Sequence, residues 1–531
     1  MNVAAESEVA RWGTHIVEGM VNGHPCRMYA DRPRAMAELL LDAERWGDRE
    51  FIVQGPRRLS AQDHRQAVAR VAAALRQAGV RGGDRVLIQG FNHIEWLVTF
   101  WALHCIGATV ALGNAWWSPP ELADAVQTFN PSMVIVDRLP ESTLGSDIPA
   151  MSFSDLRPVV DDKNRQIPLV IDPVREEAPA LVIFSSGTTG KAKGVQMSQR
   201  SVIANVHNLM RMTGRLPSQL DPSHPGTVSL VTMPLFHLGG MQISVMTMLS
   251  GGKIVFLEGR FDPEQVLRLM QDEKVRAWGS VPTMVSRVIQ HPRFAEFDTS
   301  SVSSVQMGGA VIPHELRTQV QAQFPKSRKR VGSMYGHTEA GGVLATGSSD
   351  DIDGRPGCVG WPLPAVEIRI TSPNADGVGE IMARTPTATD GYLGDPNPIA
   401  DRDGWIPSGD LGRLDEDGRL YVVGRSKDMI IRAGENIASA HVERCLRTHE
   451  QVVEVAVVGM PHPDLGEEVA AAVVLRPGAA LTVDELRDYA ASQLAKFEIP
   501  SRWWLDTEPL PTNATGKIIK SEVIGRWPTD A

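Results

Sequence analysis

The run Ser185-Ser186-Gly187-Thr188-Thr189-Gly190-Lys191-Ala192-Lys193-Gly194 brings together the groups that hold a phosphate chain. Its three glycines let the backbone turn tightly and approach an anion. Its four hydroxyls and its backbone N–H groups donate to phosphate oxygens, and its two lysines supply positive charge. The apolar, strand-like segment Ala180-Leu181-Val182-Ile183-Phe184 precedes it and offers a fixed support. The nucleotide-triphosphatase loop, G-x-x-x-x-G-K-[ST], fails on spacing, because only two residues separate Gly187 from Gly190 and Ala192 follows Lys191. A solvated turn of the same composition is the alternative that this run alone leaves open.

Further segments carry chemistry-bearing residues at short spacing. Met233-Pro234-Leu235-Phe236-His237 puts an imidazole at the head of a methionine-rich apolar stretch, and Tyr335-Gly336-His337-Thr338-Glu339 gathers a ring, a hydroxyl and a carboxylate. Asp410, in Ser408-Gly409-Asp410-Leu411-Gly412, can accept from two hydroxyls through its two oxygens, and Arg425 lies in Gly424-Arg425-Ser426-Lys427-Asp428. Near the end of the chain, Leu510-Pro511-Thr512-Asn513-Ala514-Thr515-Gly516-Lys517 presents a lysine after a turn. Taken singly, each has an ordinary explanation as a cap, a turn or a core histidine.

Together, in this order and over most of the chain, these motifs resemble the adenylate-forming superfamily of acyl-CoA synthetases, peptide-synthetase adenylation domains and beetle luciferases. The resemblance implies an ATP-dependent carboxylic acid:CoA ligase that uses ATP, Mg²⁺ and coenzyme A. A carboxylate attacks the α-phosphorus to give acyl-AMP and pyrophosphate, and the thiol of coenzyme A then displaces AMP. By the same resemblance Ser185, Ser186, Gly187, Thr188, Thr189, Gly190, Lys191 and Lys193 hold phosphates. Tyr335 stacks on adenine beside Gly336, Thr338 lies at the phosphates, and Glu339 binds Mg²⁺, an ion that prefers carboxylate and phosphate oxygens. Asp410 takes the ribose hydroxyls, and Arg425 reaches ribose or phosphate.

The resemblance also assigns Met307, Gly308, Gly309 and Ala310 to a small-residue wall against adenine and the acyl group. Lys517 is the adenylation lysine, stabilising charge on the α-phosphate and carboxylate oxygens. With Thr338, Glu339 and His237 it makes up the catalytic set. Lys427 is the hinge about which a C-terminal domain rotates after adenylation, bringing Gly434 to line the pantetheine tunnel. His237 stands between that tunnel and an acyl pocket that includes Met241 and Gly341. The apolar stretch Met233 to Leu249 and the pair Gly341-Gly342 point to a medium-chain, aryl or polycyclic acid rather than acetate.

Departures from the family pattern are local. Ala192 replaces a usual proline, and Ser408 replaces a frequent threonine while keeping the hydroxyl. Ala438-Ser439-Ala440-His441-Val442-Glu443 differs from Tyr-Pro-x-Glu-Val-Glu, which leaves thiol delivery less defined than adenylation. Two alternatives stay open: transfer of the acyl group to a carrier protein or an amine, and a non-catalytic nucleotide-binding relative. The presence of both Lys517 and Glu339 weighs against the second.

These residues must be positioned by a large scaffold. The chain has 531 residues, more than one core usually serves, so two or more domains are expected. Ser60-x-x-Asp63 opens an amphipathic helix to Gln77, Arg85 to Gln89 reads as a strand, Glu95 to Ile106 as a helix, Thr109 to Leu112 as a strand, Ser118 to Glu121 as a capping box, and Met133 to Asp137 as a strand. This alternation implies a parallel sheet covered on both faces. Pro140 to Glu177 reads as a surface crossing, and a second alternating block runs from Leu181 to about Gln323. After Gly342 short β-like segments suggest a β-rich subdomain, and the tail reads as a compact α+β unit. The fold class is α/β: a large N-terminal region of parallel-type subdomains with a β-rich subdomain (1–426), plus a small mobile α+β domain (427–531).

With 53 basic and 63 acidic residues the net charge is −10, which argues against general binding to nucleic acid or anionic membranes. The acidic N-terminal stretch does not read as a signal peptide. Trp96 to Gly113 is apolar but fits a buried helix running into a strand better than a membrane span. Four scattered cysteines fit a reducing cytoplasm. The oligomeric state stays open, a homodimer included.

Overall fold

The computed structural model describes residues 11–138, 148–185, 193–309, 312–433, 435–513 and 516–528. A seven-stranded sheet among the described residues, built mainly by the first half of the chain, runs in the order Gly391–Tyr392, Lys193–Ser198, Pro179–Ser185, Thr109–Gly113, Arg85–Gln89, Met133–Val136, Ala150–Ser152. Its central strands pair in parallel and are nearly continuous apolar runs, as burial on both faces requires. Helix Ala61–Gln77 begins with the expected capping box of Ser60 and Asp63. Helix Ile94–Ile106 is buried along its whole length, which accounts for its all-round hydrophobicity. No helix among the described residues is long and apolar enough to cross a membrane.

A thirteen-stranded sheet carries the second alternating block. From Glu50–Gln54 through Lys253–Phe256, Val228–Val231, Ala277–Ser280 and Ser304–Gly308 to Val331–His337 the pairing is parallel. Beyond Val331–His337 it turns antiparallel, through Gly342–Gly347 and Cys358–Pro362 to Leu420–Arg425, Ile406–Leu414, Gly379–Arg384 and Glu367–Thr371. The β-rich segment expected after Gly342 is therefore hydrogen-bonded into the same sheet. The strand at which pairing reverses is the one that holds Tyr335, Gly336 and His337.

The surface crossing expected over Pro140 to Glu177 is only partly so. Ala150–Ser152 joins the first sheet, and Phe153–Asp161 is a helix capped by Ser152 and Asp155. Phe153, Leu156 and Val160 bury its apolar face, and the buried Arg70 donates to the carbonyls of Val159 and Val160. The last region has its own sheet, with Glu435–Ala438, Met429–Arg432, Gly466–Leu475, Val452–His462 and Arg502–Asp506. Its main core contains residues from Ile430 to Trp503 and none from earlier in the chain.

Candidate active site

The cleft lies at the carboxyl ends of the parallel strands of the larger sheet, where ligands of open α/β sheets bind. Strand Ser304–Gly308 ends there, with Gly309 following at φ +78°. Gly308 packs so closely that a Cβ would come within 3.0 Å of the Met334 carbonyl oxygen. Ala310 lies outside the described residues. Met307 is fully buried in the second core, and Met241 is 1% exposed in the first. Both are core side chains in this structure.

Strand Val331–His337 delivers Tyr335, whose hydroxyl donates to Asp410 Oδ2 at 2.9 Å. Asp410 and Arg425 are partners across the antiparallel pair Ile406–Leu414 and Leu420–Arg425, and Arg425 Nε donates to Asp410 Oδ1 at 3.1 Å. Ser408 Oγ accepts from the Asp410 backbone N–H at 3.0 Å, fixing the turn before the carboxylate. The Asp410 side chain is only 9% exposed, yet each of its oxygens keeps a lone pair free for a hydroxyl donor. Burial and the Asp410 charge push the Tyr335 phenol far above its ordinary value, so it stays a hydrogen-bond donor.

A short 3-10 turn, Thr338–Ala340, follows directly and places Thr338 and Glu339 at the end of the reversing strand. Tyr392 donates to Glu339 Oε1 at 3.1 Å, and His337 Nδ1 lies 3.4 Å from Oε2. Burial opposes the Glu339 charge, but hydrogen bonds from His337, from its own backbone and from Tyr392 outweigh it and hold the carboxyl down at about 2. Thr389 donates to the Glu339 carbonyl at 2.8 Å and locks the turn. Gly341 closes it at φ +77°, where a Cβ would collide with the Thr387 carbonyl. Gly342, at φ +123°, packs its backbone against Asn205 and Gln242. Close backbone packing thus accounts for this glycine pair without a need for pocket space.

Of the glycine-rich run, Ser186, Gly187, Thr188, Thr189, Gly190, Lys191 and Ala192 lie outside the described residues. Its two ends are fixed: Ser185 and Lys193 are register partners in the antiparallel pair Pro179–Ser185 and Lys193–Ser198. Lys193 Nζ sits 4.9 Å from the centre of the Tyr392 ring, and Tyr392 pairs with Val195. Tyr392 therefore joins the end of the run to Glu339. Sequence reading missed this tyrosine, whose only local signal is its place after Gly391 at φ +122°.

His237 is the N-cap residue of helix Leu238–Leu249 and packs on Phe236 with ring centroids 4.7 Å apart. Burial pushes its imidazole down to about 4, and Nε2 has no hydrogen-bond partner. Asn92 holds the preceding segment by donating to the Val231 and Met233 carbonyls and accepting from Leu235 N–H. A small cavity of about 40 Å³ opens beside it, lined in part by Phe91, Trp116, Pro234 and Arg260.

Lys517 comes to this cleft from the far end of the chain. Its turn is closed by Asn513, whose N–H donates to the Lys517 carbonyl at 2.8 Å and whose Oδ1 accepts from Lys517 N–H at 3.0 Å. Lys517 is solvent-accessible within the cleft, where surrounding protein and then the Arg425 guanidinium push its ammonium down to about 8. Asp410 and Asp428 pull in the opposite direction. Lys427 is exposed in the 3-10 turn Ser426–Asp428, and Gly434 lies outside the described residues.

The AMP-binding enzyme profile matches residues 40–393, and the profile of the AMP-binding enzyme C-terminal domain matches residues 441–517. A feruloyl-CoA synthase of Amycolatopsis sp is 34% identical over 476 residues, covering 87% of this chain and 92% of its own length. The 3-[(3aS,4S,7aS)-7a-methyl-1,5-dioxo-octahydro-1H-inden-4-yl]propanoyl:CoA ligase of Rhodococcus jostii is 29% identical, covering 90% of this chain and 96% of its own length. Among solved structures, ATP-bound MatB from Rhodopseudomonas palustris superposes with a TM-score of 0.80 at 26% identity, covering 91% of this chain and 98% of that one.

Proposed function

The chain belongs to the AMP-binding enzymes and is an AMP-forming acyl-CoA synthetase, and from that premise we propose which acids it activates and how its residues divide the work. The acid is an aryl or polycyclic carboxylate. The names of the two relatives, one handling a feruloyl group and the other a bicyclic propanoate, support this class over acetate.

The observation that carries the division of labour is the docking of the Lys517 turn, whose Gly516 carbonyl accepts from the Thr283 hydroxyl at 3.1 Å, within range of the Asp410 and Arg425 charges. Asp410 accepts the ribose hydroxyls, with Tyr335 held beside it as a fixed ring for adenine. Lys193 and the glycine-rich run hold phosphates. Glu339 suits Mg²⁺: it is an ionised carboxylate, and no cluster of three or more His, Cys, Asp or Glu side chains fit for a metal occurs among the described residues. An ion held by one carboxylate together with substrate phosphates has that donor set. Bound there, Mg²⁺ neutralises phosphate charge.

In the first step a carboxylate oxygen of the acid forms a bond to the α-phosphorus, and the bond to the bridging oxygen breaks, releasing pyrophosphate. The Lys517 ammonium stabilises the negative charge that develops on the α-phosphate oxygens. In the second step the thiol sulfur attacks the acyl carbonyl and AMP leaves. His237, neutral and held to about 4, contributes shape and a hydrogen-bonding nitrogen rather than acting as a base. We assign residues 1–426 to the adenylating domain and 427–531 to a domain that turns at Lys427 between the steps. All four cysteines are unpaired and buried, which supports a reducing, cytoplasmic setting.

Purified protein is given ATP, Mg²⁺ and coenzyme A with acetic, medium-chain, ferulic, indoleacetic and steroid-derived acids, and acyl-AMP and acyl-CoA are read by mass spectrometry. Thioester from the ring-bearing acids is expected. Turnover confined to acetate would overturn the substrate class.

A further inference from the structure

Lys520 lies three residues beyond Lys517, where a terminal lysine is ordinarily solvated. Here its ammonium donates to Ser439 Oγ at 2.8 Å, pairs with Glu443 Oε1 at 2.8 Å and lies 4.0 Å from Asp428 Oδ2. All three ionic side chains are mostly covered, at 23% exposure for Lys520, 13% for Glu443 and 28% for Asp428. Glu443 Oε1 also accepts from the Val457 backbone N–H at 3.0 Å. One ammonium thus gathers the turn Ser426–Asp428, helix Ser439–Arg447 and, through Glu443, strand Val452–His462.

The cluster adjoins the residue argued above to do the chemistry. The Lys517 turn closes on itself through Asn513, and the strand-like leg that follows is tied by Ile519 N–H to the Pro511 carbonyl at 2.9 Å. Ile518 packs against a small core that includes Ala456 and Leu510. The polar cluster at Lys520 connects the turn to Asp428, the residue immediately after Lys427, through an ammonium 4.0 Å from Asp428 Oδ2. A carboxylate, a hydroxyl and an ammonium in these positions fix direction as well as distance.

We propose that Lys520 is a positioning residue for adenylation. It binds Asp428 and the Lys517 turn into one rigid body, so that rotation is confined to the residues before Asp428 and Lys517 arrives at the α-phosphate in a single orientation. The inference rests on the roles given above to Lys517 and Lys427. A misplacement of about 1 Å at a reacting group can cost on the order of 100-fold in rate.

The test measures the two half-reactions separately in the full-length enzyme: pyrophosphate release from ATP and acid, and conversion of supplied acyl-AMP to thioester. Lys520→Met should slow pyrophosphate release by about 10- to 100-fold in kcat, with KM for ATP changed less than about threefold and the thioester step within about twofold. Lys520→Arg should recover most of the loss, and Glu443→Gln should give the same split if Lys520→Met does not fold. Unchanged pyrophosphate release, or equal loss in both half-reactions, overturns the positioning role. Lys517→Ala runs alongside: if it keeps full pyrophosphate release, the fault lies with the role of Lys517 and the inference falls with it.

Discussion

Thr283 donates its hydroxyl hydrogen to the carbonyl oxygen of Gly516 at 3.1 Å, joining the first helix turn after strand Ala277–Ser280 to the residue just before Lys517. The two chain segments also meet around Val281. A Cβ on Gly309 would lie 3.7 Å from one of its methyls, and a Cβ on Gly516 would lie 3.5 Å from the other. The lysine turn therefore docks next to the wall formed by Gly308 and Gly309. This docking is the contact on which the role proposed for Lys517 in adenylation depends.

Removing that ammonium should separate the two steps. Lys517→Ala is expected to lower acyl-AMP formation by at least about 100-fold, the scale of losing a preorganised charge from the transition state. Thioester formation from supplied acyl-AMP should change by less than about threefold. Equal losses in both half-reactions would contradict the separation of tasks.

The pH dependence follows from the same residue. The working form is the protonated amine, and its protein surroundings lower its pKa from the ordinary 10.5 to about 8. The charge is thus present below pH 8 and lost as pH rises through it. Adenylation kcat/KM should fall on the alkaline side with a midpoint near 8, approaching tenfold per pH unit. Glu339, held at about 2, contributes no limb in this range. Lys517→Arg, whose guanidinium does not titrate, should remove the limb from whatever activity remains. An alkaline limb retained by that variant would point to another group.

The ribose role proposed for Asp410 can be tested at its carboxylate, which is 9% exposed and held by Tyr335 and Arg425. Asp410→Asn keeps the shape but removes the charge and turns one acceptor into a donor facing Tyr335 or Arg425. Hydrogen bonds to a charged group contribute about 1.5–3 kcal/mol, so kcat/KM for ATP should fall by about 10- to 100-fold. Tyr335→Phe removes one donor and leaves the carboxylate charged, so its effect should be smaller. Steady-state kinetics with ATP as the varied substrate decide this, and wild-type kcat/KM in Asp410→Asn would remove the ribose role.

How much of this was legible beforehand depended on how local the signal was. The capping boxes at Ser60 and Ser118 are written within four residues, and a helix starts at each. Asp410 and Arg425 were recognisable from short motifs, and their pairing is a matter of adjacent strands in one antiparallel ladder. Tyr392 was not recognisable, because what gives it meaning is pairing with Val195 and a hydrogen bond to Glu339, both distant in sequence. The same holds for Lys520, which reads as a surface lysine until Glu443 and Ser439 are folded against it. Helix Phe153–Asp161 was hidden by Pro158 and by polar neighbours, although its Ser152 and Asp155 cap was there to be read. Continuity of the large sheet beyond Val331–His337 left no periodic trace, since the reversal of pairing concerns which strands meet and not how each is composed.

The contact at Gly516 supports a final prediction. Gly516 has φ +76°, and a Cβ there would stand 2.6 Å from Thr283 Oγ1. Gly516→Ala adds left-handed backbone strain of roughly 1 kcal/mol and pushes the turn off its docking point. Adenylation should drop by about tenfold or more, while thioester formation from supplied acyl-AMP, which does not use this docking, should hold. Thr283→Ala removes the hydroxyl that the new methyl meets, so the double variant should recover part of the loss and show coupling between the two sites. If the contact matters only for folding, both half-reactions should weaken together with the melting temperature. If it matters for presenting Lys517, the double-mutant cycle in acyl-AMP formation should depart from additivity while the same cycle in thioester formation stays additive.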